Sequence, residues 1–354
     1  MIPLAKPVFG LAEWENLSTC LTTGWISSQG KFVKEFEDNF AKWVGCRYGV
    51  ATTSGTTALH LALVATGLKE GDEVIVPVLT FIASANVVKY CGAKPVFVDA
   101  HPGYWNIDPN KIKEKITQRT KAIMPVHLYG HPCDMGPIMQ LAGMYGLWVI
   151  EDCAEAHGAK YNNQMVGSIG DIGCFSFYAN KIITTGEGGI CTTNNRDLYE
   201  HMVLLRDHGM SKTKKYWFDE VGFNYRITNL QAAVGLGQMS KLESILKERE
   251  RIKMDYDSYL GTAKPSYGWA KDVCWLYTTL VNNRDKVIEA LAKEDIDSRP
   301  MFYPLTQMPP YFSKEGFPMA ESISRRGITL PTYIGLEKCD IKRICKIVKE
   351  IGEI

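Results

Sequence analysis

The sequence predicts an α/β protein, in which a parallel or mixed sheet is covered by helices on both faces and is followed by a smaller α+β domain. Three patterns in the 354 residues predict this fold class. Apolar strand-like runs alternate with helical stretches from about residue 48 to 193, one long helical pattern follows, and strand and helix patterns mix from about residue 262 onward. Such alternation is typical of right-handed βαβ units around a buried sheet.

The first five strands are expected where short runs are mostly apolar. These runs are residues 48–51, 73–76, 95–98, 122–126 and 148–150. Helices are expected in the stretches between them, at residues 56–66, 82–90 and 135–145. Strands with continuous rather than alternating apolar residues are typical of a sheet that is buried on both faces.

Two further strands, residues 173–178 and 188–193, are separated by a polar, glycine-rich turn and bring the predicted sheet to seven. A single helix over 228–260 then connects a large domain, 1–235 with an N-terminal arm at 1–12, to a small domain at 236–354. In the small domain we expect a strand at 275–281 and helices at 284–293 and 336–350.

Composition excludes several function classes. The 40 basic and 39 acidic residues leave a net charge of +1, so a broad basic surface for nucleic acid is not expected. No apolar run approaches the roughly 18 residues of a membrane span, and no secretory signal is visible, so we expect a soluble cytoplasmic protein. The ten cysteines are scattered without a C-x-x-C pair, which favours reduced core residues over zinc ligands or disulfides, and no metal is predicted.

Candidate chemistry is expected where strands end, because ligands of α/β sheets bind at the carboxyl ends of the strands. After the first strand, residues 53–59 combine a glycine and several hydroxyls at the start of a helix. This segment either binds a phosphate or is an ordinary helix N-cap. After the fifth strand, Asp152 follows an apolar run, so it either pairs with a protonated ring nitrogen or caps the next helix.

The most informative segment is residues 175–189, in which Lys181 lies between an apolar strand and a Thr-Thr-Gly-Glu-Gly-Gly turn. A lysine that is desolvated there would have a lowered pKa and could form a Schiff base, whereas an ordinary loop lysine would be solvated. A phosphate cradle, a carboxylate for a ring nitrogen and a Schiff-base lysine are together the protein groups that pyridoxal phosphate requires.

These segments resemble the DegT/DnrJ/StrS-type sugar aminotransferases over nearly the whole chain, and within that family its perosamine-forming branch. The motifs that carry the resemblance are residues 24–27, 71–77, 151–156, 175–189 and 222–229, with 126–134 and 299–305 matching the perosamine-forming branch. The resemblance implies an aspartate-aminotransferase-like fold (fold type I), with a mixed, mostly parallel seven-stranded sheet and pyridoxal 5′-phosphate as cofactor.

The resemblance also implies roles for individual residues. Lys181 would bind the cofactor and transfer protons, Asp152 would pair with the pyridinium nitrogen, and Glu155 would lie near the cofactor hydroxyl, where many relatives carry Gln or His. Gly55, Thr56 and Ser176 would hold the phosphate, and Phe81 would stack on the ring, unless it only packs in the core. Asn224 would reach the phosphate in the neighbouring subunit, which implies a homodimer with shared active sites.

Substrate contacts are the least defined part of the prediction. The candidates are His127, Glu187, Arg226 and Tyr303. For His127 the alternative is a hydrogen-bonded structural histidine, and for the proline-rich segment 299–311 around Tyr303 it is a loop that packs domains together.

The implied reaction is transamination of a nucleotide-linked 4-keto-6-deoxyhexose, with GDP-4-keto-6-deoxymannose as the expected acceptor and L-glutamate as the donor. The product would be a 4-amino-4,6-dideoxy sugar nucleotide. The alternatives are a UDP- or dTDP-linked 4-keto-6-deoxyglucose (viosamine type), a sugar 3-aminotransferase or 3-dehydratase, and a non-catalytic regulatory protein. A histidine replaces the lysine in the dehydratases, so Lys181 disfavours that alternative.

Overall fold

A computed structural model of the chain describes residues 1–262, 265 and 267–353. Its strands are β1 (Tyr48–Thr52), β2 (Glu73–Pro77), β3 (Lys94–Val98), β4 (Thr120–Ile123), β5 (Trp148–Asp152), β6 (Lys160–Tyr161), β7 (Gln164–Met165), β8 (Ile172–Ser176), β9 (Gly189–Thr193), β10 (Ala270–Lys271), β11 (Tyr277–Leu280), β12 (Arg299–Pro300) and β13 (Gly327–Leu330).

The α-helices are α1 (Leu11–Thr23), α2 (Lys31–Val44), α3 (Gly55–Ala65), α4 (Ala83–Tyr90), α5 (Met135–Tyr145), α6 (Arg196–Arg206), α7 (Asn229–Met239), α8 (Leu242–Leu260), α9 (Arg284–Lys293), α10 (Pro318–Arg326) and α11 (Lys338–Gly352). Short 3-10 helices lie at Pro109–Lys111, Lys113–Lys115, Leu128–Gly130, Leu305–Gln307 and Pro309–Tyr311.

Seven strands form the large sheet, in the order β1-β9-β8-β5-β4-β2-β3. The four neighbouring pairs from β8 to β3 are parallel, whereas β9 runs antiparallel to both β8 and β1. The predicted mixed, mostly parallel seven-stranded sheet is therefore confirmed. Its strands β2 and β8 are buried at every position, as is typical of mostly apolar strands in a sheet covered on both faces.

One side of this sheet is covered by helices that approach each other closely. A Cβ on Gly235 of α7 would lie 2.7 Å from the ring of Phe36 in α2, and a Cβ on Gly237 would lie 2.7 Å from the side chain of Glu13 in α1. Because these two glycines lack a Cβ, the backbone of α7 can pack directly against side chains of α1 and α2.

The predicted helix over 228–260 is wrong in one respect, because the structure has two helices there. α7 ends at Met239 and α8 begins at Leu242. The hydroxyl of Ser240 donates to the carbonyl oxygen of Gly237 at 2.7 Å, and that of Ser244 donates to the carbonyl oxygen of Lys241 at 2.7 Å. Hydroxyls that occupy backbone carbonyls in this way compete with helical hydrogen bonds, which explains the break.

The C-terminal part has a core of its own. Strands β11, β13 and β12 form a three-stranded antiparallel sheet, and α8, α9 and α11 pack around a separate apolar cluster that includes Ile252, Leu291 and Val348. The predicted boundary after residue 235 falls inside α7, whose last turn still packs on α1. A division into domains at 1–235 and 236–354 stays a prediction.

The N-terminal segment crosses to the C-terminal part. Ile2 forms a parallel bridge with Ile296, and the carbonyl oxygen of Leu4 accepts a hydrogen bond from the backbone N–H of Thr332 at 2.8 Å. The predicted arm therefore joins the two parts of the chain before α1 begins at Leu11.

Within the described ranges, none of the helices has the length and apolar character needed to span a bilayer. All ten cysteines are free thiols, and eight of them are buried.

Candidate active site

A narrow cradle lies between the first strand and the first helix of the large sheet. Ser54 caps α3, and its side-chain oxygen accepts a hydrogen bond from the N–H of Thr57 at 3.1 Å. The first N–H groups of a helix have no intrahelical acceptor, so those of Gly55 and Thr56 are available to bind an anion. A Cβ on Gly55 would lie 2.6 Å from the Cβ of Ser176, so only glycine leaves this space open.

This cradle opens into a cavity of about 470 Å³, called the main cavity below. It is lined at the carboxyl edge of the sheet by Gly55, Thr56, Thr80, Phe81, Asp152, Glu155, Ser176, Asn180, Lys181 and Glu187, and from other segments by Leu4, Tyr129, Trp275, Arg299 and Phe302, among others. Eight of the twelve predicted site residues therefore line one cavity.

Asp152 ends β5 and is buried with few donors. Its Oδ2 accepts a hydrogen bond from the hydroxyl of Ser84 at 2.8 Å, and its Oδ1 accepts one from the N–H of Ala154 at 3.1 Å. Burial raises the pKa of the Asp152 carboxyl, and the hydrogen bond from Ser84 opposes that shift. A positive charge placed beside this carboxylate would offset its desolvation.

Lys181 and Glu155 form an ion pair inside the cavity, with 3.7 Å between Nζ and Oε1. Burial lowers the pKa of the Lys181 amine, and the negative charges of Glu155 and Asp152 oppose that effect. Burial raises the pKa of Glu155 to about 7, although Lys181 and the N–H of Tyr129, which donates to Oε2 at 2.8 Å, oppose this shift. Near neutral pH the Glu155 carboxyl can therefore gain or lose a proton readily beside this amine.

These residues fit pyridoxal phosphate. The open space at Gly55 and the free N–H groups of α3 suit its phosphate, and the donor-poor Asp152 suits a protonated ring nitrogen. The amine of Lys181 is desolvated, as a Schiff-base nucleophile requires. The ring of Phe81 is 56% exposed although it lines the cavity, so its face is available for stacking rather than used in the core.

His127 does not lie where it could contact a substrate in the main cavity. Its Nδ1 accepts a hydrogen bond from the N–H of Cys133 at 2.9 Å, so its Nε2 donates to Glu151 at 3.0 Å. The residue is fully buried and is not among the described residues that line the main cavity. The structure therefore corresponds to the alternative of a hydrogen-bonded structural histidine.

Three other predicted residues also lie outside the main cavity. Arg226 lines a second cavity of about 490 Å³ and pairs with Asp207 at 2.6 Å, and its Nε donates to the side-chain oxygen of Asn224 at 3.1 Å. The ring of Tyr303 faces the guanidinium of Arg284, and its neighbour Phe302 lines the main cavity instead.

Sequence reasoning missed several residues that line the cavity and one, Ser84, that hydrogen-bonds to Asp152. Ser84, Tyr129, Trp275 and Arg299 come from four separate segments. A hydroxyl in the first turn of the helix after the second strand is a signal that could have identified Ser84. The other three carry no such signal, because their position depends on how distant segments pack.

One cluster has the residue types of a metal site. The ligand atoms of His127, Glu151 and Cys153 lie within 4.8 Å of one another in the described part of the chain. The carboxylate oxygens of Glu151, however, already accept hydrogen bonds from three backbone N–H groups and from His127. This cluster is therefore a hydrogen-bonded core network.

Comparison with known proteins agrees with this geometry. The chain is 48% identical to GDP-perosamine synthase of Caulobacter vibrioides, covering 99% of this chain and 98% of that protein, and 43% identical to GDP-perosamine synthase of Escherichia coli O157:H7 with the same coverage. The solved structure of S. venezuelae DesV, in complex with a ketimine intermediate, superposes with a TM-score of 0.92 at 34% identity, covering 97% of this chain and 94% of that one.

The sequence model of the DegT/DnrJ/EryC1/StrS aminotransferase family matches residues 10–349. The expected aspartate-aminotransferase-like fold, the pyridoxal phosphate cofactor and the aminotransferase class are thereby confirmed. With Lys181, Asp152 and the Gly55 cradle brought together at one edge of the sheet, this chain belongs to the DegT/DnrJ/EryC1/StrS family of aminotransferases.

Proposed function

We propose that this enzyme transfers the amino group of L-glutamate to the C4 ketone of GDP-4-keto-6-deoxymannose, which gives a 4-amino-4,6-dideoxy sugar nucleotide. The observation that carries the reaction type is the desolvated Lys181 between Glu155 and Asp152 in the main cavity. The names of the two relatives at 48% and 43% identity support the choice of sugar and nucleotide.

Lys181 is the group that moves protons in this reaction. Pyridoxal phosphate supplies an electrophilic carbonyl and a ring that stabilises negative charge on the reacting carbon. The lowered pKa of the Lys181 amine lets it accept a proton from the donor carbon in the first half-reaction and return one to C4 of the sugar in the second. Glu155 adjoins the amine and keeps it within the cavity.

The other residues of the cavity would hold and orient the cofactor and the substrate. Asp152 would present its carboxylate to the ring nitrogen, and Ser84 fixes that carboxylate. The N–H groups at the start of α3, with Ser176, would hold the phosphate. Phe81 would stack on the ring, while Glu187 and Arg299 line the same cavity, where Arg299 would pair with an anionic group of the substrate.

We infer that the enzyme is a homodimer in which Asn224 and Arg226 serve the partner's active site. Asn224 is exposed and lies outside the main cavity, as a residue that serves another subunit would. The adjacent segment exposes apolar side chains, with Trp217 at 52% and Val221 at 89% exposure, which suits a subunit interface. The ten free thiols support a reducing, cytoplasmic location.

The substrate assignment is tested by assaying purified enzyme with glutamate and GDP-, UDP- or dTDP-linked 4-keto-6-deoxyhexoses, followed by NMR of the product. We expect the GDP sugar to be aminated at C4 with the highest kcat/KM. A preference for the UDP or dTDP sugar, or amination at C3, would contradict the proposal.

Shared sites are tested by mixing two inactive variants, Lys181→Ala and Asn224→Ala. In a shared-site dimer each mixed dimer has one site with both lesions and one intact site, so random mixing restores about a quarter of the wild-type activity. If mixing restores none, the sites are not shared.

A further inference from the structure

Trp275 touches the catalytic lysine, although the proposed function gives it no role. The Nζ atom of Lys181 lies 3.9 Å from the centroid of the Trp275 ring. The Lys181 side chain is only 12% exposed. The amine is therefore largely enclosed between an indole face and the carboxylate of Glu155.

Trp275 is held in place through both its side chain and its backbone. Its indole N–H donates to the carbonyl oxygen of Asn180, the residue before Lys181, at 2.8 Å. Its own carbonyl oxygen accepts a hydrogen bond from Arg249 at 2.5 Å, and that arginine is itself buried. The indole therefore has a fixed position relative to the backbone that carries Lys181.

Two further aromatic rings support the indole from the cavity side. Tyr129 stacks on Trp275 with 5.5 Å between ring centroids and 26° between planes. Phe302 in turn stacks on Tyr129, with 5.3 Å between ring centroids and 24° between planes. This stack leaves the indole little freedom to turn away from the amine.

An indole face has an electrostatic property that a carboxylate lacks. It attracts an ammonium through the negative potential of its π-system, yet it has no lone pair that could take the proton. Glu155, with a pKa raised to about 7, can instead accept that proton. The ionisable groups that act on the Lys181 amine are the carboxyls of Glu155 and Asp152, and the amine in turn opposes protonation of the buried His157, whereas Trp275 carries no ionisable group.

We propose that Trp275 is a positioning residue, whose indole face holds the ammonium of Lys181 whenever this lysine is protonated and not covalently bonded. The proposal rests on the proposed function only in that Lys181 is the group that transfers the protons. Trp275 comes from the C-terminal part of the chain, so this contact also gives that part a direct effect on the proton-transfer step.

The test replaces Trp275 with tryptophan analogues of increasing fluorine content, which weaken the π-potential while keeping the shape and the N–H donor. The holoenzyme is first converted by glutamate to its aminated form, which frees Lys181. Trace labelling with an amine-directed acylating reagent, read by mass spectrometry, then gives the pH at which Lys181 is half deprotonated. The same analogues at Trp269, which is outside the main cavity, provide the matched control.

We expect this half-deprotonation pH to fall progressively with fluorine content at position 275, by about 0.5 to 1 pH unit overall, and to stay constant for position 269. Trp275→Leu should give the full shift and Trp275→Phe an intermediate one. Both variants should lower kcat by a larger factor than they change KM. A constant half-deprotonation pH across the series at 275 would overturn the proposal, even if activity fell.

The labelling measurement requires no sugar nucleotide. An error in the proposed acceptor sugar would therefore show only in the substrate assay. It would not affect the half-deprotonation pH of Lys181. If Trp275→Leu fails to fold, the fluorinated series alone decides, since it preserves the packing.

Discussion

Two adjacent carboxylates at the end of β5, Glu151 and Asp152, are both buried but have opposite surroundings. Successive residues of a strand point to opposite faces of the sheet. Glu151 accepts hydrogen bonds from the backbone N–H groups of Gly167 at 2.9 Å, Ile169 at 2.8 Å and Gly170 at 2.7 Å, and from Nε2 of His127 at 3.0 Å. Asp152 accepts one hydroxyl and one N–H, and faces the main cavity.

The difference separates a structural carboxylate from a functional one. A buried charge whose oxygens are all engaged by fixed donors holds the chain together and leaves no position for a ligand. A buried carboxylate that lacks donors raises the free energy of the folded protein until a cation binds beside it. The count of donors, rather than burial alone, identifies the binding side of β5.

The largest effect is expected on the cavity side, from Lys181→Ala. Turnover should fall at least about 1,000-fold, because the proton donor and acceptor is lost together with the covalent attachment of the cofactor. The absorbance band of the lysine-bound cofactor should disappear, while circular dichroism stays that of the folded protein. A band that survives the substitution would mean that another residue binds the cofactor.

The comparison itself is tested by the pair Asp152→Asn and Glu151→Gln. Asp152→Asn should lower kcat about 100-fold or more with little change in stability, because the charge beside the ring nitrogen is lost. Glu151→Gln should instead lower the free energy of unfolding by about 3 kcal/mol, because an amide cannot accept all four hydrogen bonds, and the folded fraction should keep its kcat. Urea unfolding and steady-state kinetics on both variants separate the two outcomes. If both variants changed kcat and the free energy of unfolding to the same extent, the two carboxylates would not differ in role.

Glu155 should give the folded protein a stability that depends on pH. Its pKa is raised from 4.5 to about 7 by burial, so the folded protein binds more protons than the unfolded chain between these values. The corresponding stability is present below pH 4.5 and is lost as pH rises through 7, by at most about 3 kcal/mol. In Glu155→Gln the free energy of unfolding, measured in urea from pH 4.5 to 8, should lose this slope. An unchanged slope would assign it to another group.

The smallest effect is expected at the cradle, from Gly55→Ala. The added Cβ meets Ser176, so the affinity for pyridoxal phosphate should fall about 10-fold or more in a titration followed by absorbance. Gly143→Ala is the matched control, since Gly143 lies in α5 with open space around its Cβ position. This control should raise the free energy of unfolding by about 0.5 to 1 kcal/mol and leave cofactor affinity unchanged. Equal cofactor affinities in the two variants would contradict the proposal that Gly55 leaves space for the phosphate.

Local patterns in the sequence were sufficient to predict the strands of the large sheet and to predict that Lys181, Asp152 and Gly55 lie at one edge of it, because each lies next to the end of an apolar run. They were insufficient for His127, which also follows a strand but has both ring nitrogens in the core network. Trp275 reaches Lys181 from almost a hundred positions away, and no local pattern encodes such packing. The break at Ser240 was missed because neither glycine nor proline occupies residues 239–241.

The crossing of the N-terminal segment has a consequence for the order of folding. The main cavity is lined by Leu4 at one end of the chain and by Thr329 near the other, and Leu4 pairs through its carbonyl oxygen with Thr332. Contacts of such long sequence separation form late, because closing a long loop must precede them. During synthesis the large sheet can therefore assemble around an open cleft, and the enzyme gains its enclosed cavity only after the last strand, β13, has left the ribosome.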